Sequence, residues 1–156
     1  MTTLIQPRLP AEWEPADAVQ LTWPHRGTDW QPFLEEVLCL YEELVVTLAG
    51  VCQVLIAAPG DEVGSIRERF AGRAVSPATL HIYPVDSDDT WARDHGPITV
   101  ETDAGPCLLD YCFNGWGNKF AAGRDNRITE TLFGQGGYPG AQLLKRDLVL
   151  EGGAIE

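Results

Sequence analysis

Between Trp30 and Ala49, apolar residues recur at three- and four-residue steps: Phe33, Leu34, Val37, Leu38, Tyr41, Leu44, Val45 and Leu48. Glu35, Glu36, Glu42 and Glu43 take the other face. That period is a helix with one side to bury. Thr28 or Asp29 stands where a cap belongs, and Gly50 is placed to close the end. Its surroundings constrain the fold. Ala18–Trp23 alternates like a strand and stops at Pro24. Val51–Ala57 is a buried-looking strand ended by Pro59-Gly60. A helix set between two strands restricts the chain to the α/β classes.

The remainder keeps the alternation but adds a hairpin. Asp61–Ala71 reads as a second, weaker helix interrupted by Gly64, followed by a strand over Leu80–Val85. Ile98–Glu101 and Pro106–Tyr111 are strands joined across the turn Thr102–Gly105. Arg124–Phe133 reads as a third helix, and Gln142–Lys145 and Leu148–Leu150 as two more strands. The spacing therefore predicts mixed sheets rather than a pure βαβ ladder. The last two helices each lead to a strand and then to an acidic motif, Asp94 in one case and Glu151 in the other, a loose repeat. No linker divides the 156 residues, so one domain is expected over 1–156.

Net charge is −12, which leaves few cations to neutralise phosphates and disfavours nucleic acid. The four cysteines, Cys39, Cys52, Cys107 and Cys112, have no zinc-ligand spacing and read as small buried hydrophobes. No metal or organic cofactor is implied. No apolar run is long enough for a membrane span and no secretory pattern opens the chain, so a cytoplasmic protein is the expectation. Gly134–Gly140 is glycine-rich but fails the dinucleotide spacing and reads as a helix-ending turn.

The chemistry concentrates in Asp86–Pro97, a polar loop between two strands with four carboxylates, an Arg, a His and a Trp. Trp91 and Asp94 are three apart, so a tight turn would bring both to one cavity. An aromatic face beside a carboxylate suits a guanidinium, which stacks on the ring and donates two parallel N–H bonds. The competing reading is an Asx-rich surface turn closed by Gly96-Pro97. Of the histidines, His81 reads as a packing residue in a strand. His95 points away from Asp94 if the backbone is extended. His25 follows Trp23-Pro24 at a strand end, a place that can line a site.

Further loops leave strand ends at Trp23-Pro-His-Arg26, Phe113-Asn-Gly-Trp-Gly117 and Leu150-Glu-Gly-Gly153. Taken with Leu9-Pro-Ala-Glu-Trp-Glu-Pro15 and Asp88-Asp-Thr-Trp-Ala-Arg-Asp-His-Gly-Pro97, they resemble, in order and spacing, the agmatine deiminase and bacterial-type peptidylarginine deiminase family of guanidino-group-modifying enzymes. The resemblance implies an α/β-propeller (pentein) fold with ββαβ-type blades, of which this chain would supply about the first half. It also implies that a cysteine thiolate attacks the guanidinium carbon and that a histidine serves first as acid and then as base. By the same resemblance Asp94 matches the guanidinium-binding carboxylate and Trp91 the ring packed on the substrate's stem. Glu151 matches the acid that orients the catalytic histidine. Asp94 and Glu151 are thus the catalytic candidates, and Trp91, Asp94 and Trp116 the substrate-binding ones. Arg93 is expected to form an ion pair within its own loop.

The family's His-x-Asp and nucleophilic cysteine have no counterpart here, and neither Cys107 nor Cys112 matches. The chain alone is therefore expected to be inactive, or to be part of a longer enzyme. Where the peptidylarginine type carries Arg-Pro-Arg, this sequence has Gly115-Trp116-Gly117. A substrate without a carboxylate, such as agmatine, is favoured, and Trp116 could cap its amine. The expected partner is this small cationic guanidinium substrate, with a homo-oligomer left open. The alternatives are peptidylarginine deimination and, in a different class, a non-catalytic binding protein on the same scaffold.

Overall fold

The computed structural model describes residues 7–155. Strands β1 (Ala18–Thr22), β2 (Gln53–Ala58) and β3 (Leu80–Pro84) alternate with helices α1 (Leu34–Ala49) and α2 (Val63–Phe70). The strands form one parallel sheet in the order β1-β2-β3, with Leu21 opposite Ile56 and Ile56 opposite Ile82. β2 is central and buried from Val54 to Ala58, which is why it reads as an unbroken apolar run. A second sheet follows the single-turn helix α3 (Ala92–His95). Its strands β4 (Ile98–Thr102) and β5 (Gly105–Cys112) form the expected hairpin. The turn α4 (Gly115–Asn118) and helix α5 (Ile128–Gly134) then lead to β6 (Gln142–Val149), parallel to β5. This second unit has the order ββαβ. The first does not: among the described residues it is a parallel β–α–β–α–β ladder, so the mixing of strand directions is confined to the second sheet.

One core fills the space between the first sheet and its helices: Trp23, Leu38, Val45, Val54, Ile56, Ile66 and Phe70. Trp23 is fully buried, with its ring edge-on to Tyr41 at 5.8 Å and to Phe70 at 6.2 Å. The opposite face of the sheet, through Ala57 and Val85, packs on Ile128 and Leu132 of α5. The second unit's helix thus completes the first unit's sheet, and the two build one body.

The sequence reading needs correction at several points. α1 begins at Leu34, after a 3₁₀ turn over Gln31–Phe33, and no side chain caps it. Thr28 Oγ1 donates instead to the His25 carbonyl, and the Asp29 N–H to Asp89. Glu42 does not lie on the outer face. Four residues after Leu38 and three before Val45, it shares their stripe and is buried under Arg69 and Arg73, bonding Arg69 at 2.7 Å and Arg73 as well. Phe33 and Leu44, expected inside, are exposed. Of the cysteines only Cys107 is buried. Cys39, turned off the stripe beside Leu38, is exposed, and Cys52 and Cys112 are partly so. The two strands expected at the end are one strand, β6. Its register against β5 slips between Asp110–Lys145 and Cys112–Val149, so the polar Arg146-Asp147 break marks a bulge, not a turn.

Candidate active site

β3 delivers the chain into the acidic loop, and most of that loop's acids prove architectural. Asp89 accepts from the Thr90 N–H at 2.7 Å and from the Asp29 N–H at 3.1 Å. Asp88 Oδ2 accepts from the Arg124 N–H at 2.7 Å. His25 Nδ1 accepts from the Gly27 N–H, so Nε2 carries the proton and donates to Ser87 Oγ at 3.1 Å. His25 and its neighbours are therefore braces, and the Asx-turn reading holds for these positions. His81 bonds Gln53 across β2 and β3 at 2.9 Å.

Trp91 then leads into α3. The N–H groups of Asp94 and His95 both return to the Trp91 carbonyl, at 2.9 and 3.0 Å. Trp91 itself has a non-helical backbone and immediately precedes the turn, while Asp94 lies within it. The extended backbone assumed for His95 is absent. His95 is instead driven inward, 3% exposed, with Nε2 3.2 Å from Thr22 Oγ1. Burial pulls its basicity down to about 4, so it is neutral at ordinary pH. Arg93 makes no pair within its loop. It points out of the turn, donates to the Ile155 carbonyl at 3.2 Å and lies 3.9 Å from Glu12.

Trp116 arrives from the other sheet. β5 ends at Cys112, Phe113 follows it, and the turn after is tightly wound: Asn114 Oδ1 accepts from the Gly117 N–H at 2.8 Å, and Gly115 and Trp116 both have φ near +60°. Gly115 is required there, because a Cβ would collide with the Phe120 carbonyl. Trp116 carries a left-handed backbone without glycine's freedom, the kind of local strain that collects at functional sites. Its ring meets Trp91 edge to face at 5.1 Å, Phe113 at 5.0 Å and Phe120 at 5.6 Å. Lys119, the cation of this turn, lies 5.2 Å from the centre of the Phe120 ring.

The segment after β6 closes on α3 through two glycines. A Cβ on Gly152 would strike the Arg93 carbonyl, and one on Gly153 would lie 2.5 Å from Asp94 Oδ1. Glu151 is thereby fixed beside α3 by its backbone. Its side chain is half-buried and makes no hydrogen bond or ion pair among the described residues. Trp91 and Asp94 form part of the wall of a cleft of about 970 Å³, which continues along Gln20, Tyr83, Thr99 and Tyr138 between the two sheets. Trp116 and Glu151 are not in that wall, although the Trp116 ring meets that of Trp91. Glu12, Glu14, Asp17, Asp94 and Glu101, set against Arg93, give the cleft an excess of negative charge, suited to a cation.

Two residues that hold the site were not singled out in the sequence. Asp125 accepts from the backbone of Asp88 and Asp89, and Asn126 bonds both backbone groups of Phe113. An Asp-Asn pair before a helix looks like ordinary cap chemistry, and nothing in its spacing reveals partners so far back in the chain.

An α/β fold with a ββαβ unit, and an acidic cleft lined by Trp91 and Asp94, are the features to set beside known proteins. The sequence profile of the Porphyromonas-type peptidyl-arginine deiminase family matches residues 8–156, and the chain belongs to that family. A protein from Shewanella putrefaciens described as a "putative agmatine deiminase" is 28% identical over 153 residues, covering 94% of this chain and 39% of that protein. The substrate-bound structure of Campylobacter jejuni agmatine deiminase superposes with a TM-score of 0.84 at 34% identity, over 97% of this chain and 43% of the other. A Porphyromonas gingivalis structure described as a "putative arginine deiminase" gives 0.80 at 38% identity, over 97% and 44%. The chain thus spans about two-fifths of the length of the relatives it matches. Propeller closure lies beyond what these residues form.

Proposed function

We propose that this chain forms the guanidinium-binding part of an enzyme that hydrolyses agmatine to N-carbamoylputrescine and ammonia. The observation that supports the reading is that Trp91, just before the single turn α3, and Asp94 within it both line one acidic cleft. Asp94 would hold the planar cation by charge-assisted N–H bonds, worth about 1.5–3 kcal/mol. Trp91 would pack on the aliphatic stem, and Glu151 would orient a histidine acid–base. The thiolate adds to the guanidinium carbon, the carbon–nitrogen bond breaks, and ammonia leaves with the histidine's proton. Water, deprotonated by the same histidine, then displaces the sulfur to give the ureido product. No cysteine or histidine among the described residues is assigned these two roles.

The test has two parts. Agmatine titrated calorimetrically into the chain should give a binding isotherm that Asp94→Asn weakens at least tenfold, about 1.4 kcal/mol. In the enzyme that includes the complementary catalytic half, Asp94→Asn should lower ammonia release by orders of magnitude. Unchanged turnover removes Asp94 from the site. Lys119 favours a second reading, peptidylarginine deimination, because its ammonium, over the Phe120 ring that itself meets Trp116, could meet a substrate carboxylate. That reading predicts citrulline from peptides ending in arginine, with agmatine the poorer substrate.

A further inference from the structure

Two loops carry the tryptophans of the site, and one pair of adjacent side chains ties down both. Asp125, 1% exposed, accepts on Oδ1 from the Asp88 N–H at 2.7 Å and the Asp89 N–H at 3.3 Å. The Arg124 N–H answers by donating to Asp88 Oδ2 at 2.7 Å, so the two segments are joined in both directions. Asn126 treats the other loop in the same way. Its Oδ1 accepts from the Phe113 N–H at 2.8 Å, and its Nδ2 donates to the Phe113 carbonyl and to the Ala122 carbonyl, the latter at 2.8 Å. Trp91 follows Asp89 by two residues and Trp116 follows Phe113 by three. The rings that meet at 5.1 Å thus hang from backbone held by neighbouring side chains.

The arrangement is costly as a purely stabilising feature. Asp125 Oδ2 is buried without a partner among the described residues, and an unsatisfied buried acceptor works against the fold. Burial, followed by the repulsion of Asp88 and Asp89, lifts the Asp125 carboxyl to about 6 against the pull of its two backbone donors.

We propose that Asp125 and Asn126 are a positioning pair: a single clasp that sets the distance and angle between Trp91 and Trp116, and so the shape of the aromatic wall beside Asp94. The proposal deepens the guanidinium-site reading and rests on it for its functional meaning. Its mechanical content can be tested without a ligand. Two indole rings held edge to face couple their transitions, and circular dichroism reads that coupling as an exciton couplet. Trp116→Phe identifies the couplet's source by abolishing it.

Asp125→Ala removes the acceptor for Asp88 and Asp89. The couplet should collapse while the far-ultraviolet helix signal and cooperative melting persist, and agmatine binding should weaken about tenfold, a loss of ~1.4 kcal/mol. Asp125→Asn retains an acceptor oxygen and should restore both. Asn126→Asp keeps the bond from the Phe113 N–H but loses both donated bonds, and it is the variant to read should Asp125→Ala not fold. Its couplet should also shrink. A wild-type couplet in a folded Asp125→Ala or Asn126→Asp protein overturns the clasp, whatever agmatine does. Loss of the couplet in a chain whose wild type ignores agmatine supports the clasp and sinks the agmatine reading instead.

Discussion

Asp94 owes its exposure to the cleft to a glycine. Gly153 lies so close that any side chain there would meet Asp94 Oδ1 at 2.5 Å. Gly153→Ala should therefore push the carboxylate from its place and weaken agmatine binding by about tenfold, ~1.4 kcal/mol, with little change in melting temperature because the position is exposed. Equal losses of binding and stability would mean that the segment is simply unfolding. His95 acts in the opposite way, through stability. In an unfolded chain its proton is released near pH 6.5; in the fold, burial brings that down to about 4. Between those values the unfolded state binds more protons, so the His95 contribution grows as pH rises from about 4 to 6.5 and is complete above it. Asp125 runs counter to it: its carboxyl, lifted to about 6, keeps a proton that the unfolded chain has already released, so its contribution shrinks over that range. The stability of the wild type relative to His95→Gln should increase across this window by up to about 3 kcal/mol, read from urea unfolding at stepped pH. Parallel curves would show that the folded protein protonates His95 normally.

At the scale of elements, what matters is how helices are tied to the first sheet. α1 is held by an apolar stripe and by one buried acid in that stripe. Glu42 bonds Arg69 of α2 and Arg73 just beyond it, while Glu35 and Glu43 add exposed pairs. The exposed pairs are worth little, in the range of 0–1 kcal/mol. The buried carboxylate is different, because stripping its partners leaves a charge out of water. Arg69→Met with Arg73→Met should destabilise the protein on the order of 3–5 kcal/mol, seen as a lower urea midpoint. Adding Glu42→Leu should recover much of that loss, since no orphan charge remains. No recovery would mean that the arginines act through their packing alone. α3 and α4 are too short to stand by hydrogen bonding alone. The glycines beneath α3 and the Asn126 bonds behind α4 give these turns their geometry.

For the molecule as a whole, the excess of acid has a local use as well as a general one. Carboxylates along the cleft reinforce Asp94 at long range, and that part of the attraction is screened within about 10 Å at 0.1 M salt. Raising salt from low to physiological strength should weaken agmatine binding several-fold in the wild type. Neutralising Glu12 and Asp17 to glutamine and asparagine should flatten the salt dependence without abolishing binding. A salt-independent isotherm would confine the electrostatics to Asp94 alone. Among the described residues, no helix is long and apolar enough to cross a membrane.

Much of this was legible in the chain itself. The α1 stripe, the apolar run of β2 and the turn at Thr102–Gly105 are local patterns, set by period and by residues that tolerate few backbones, and each became the expected element. The tight turn between Trp91 and Asp94 was legible for the same reason, and both residues line the same cleft. The burial of Glu42, the inward face of His95, the exposure of Cys39 and the grip of Asp125 and Asn126 on two distant loops were not. Each depends on which surface arrives from elsewhere in the chain: Arg69 and Arg73 over Glu42, Thr22 against His95, Phe113 beside Asn126. Sequence decides what a segment can bury or bond. Tertiary structure decides what it meets, because contacts between residues far apart in the chain follow from the packing of whole elements and leave no period in either partner.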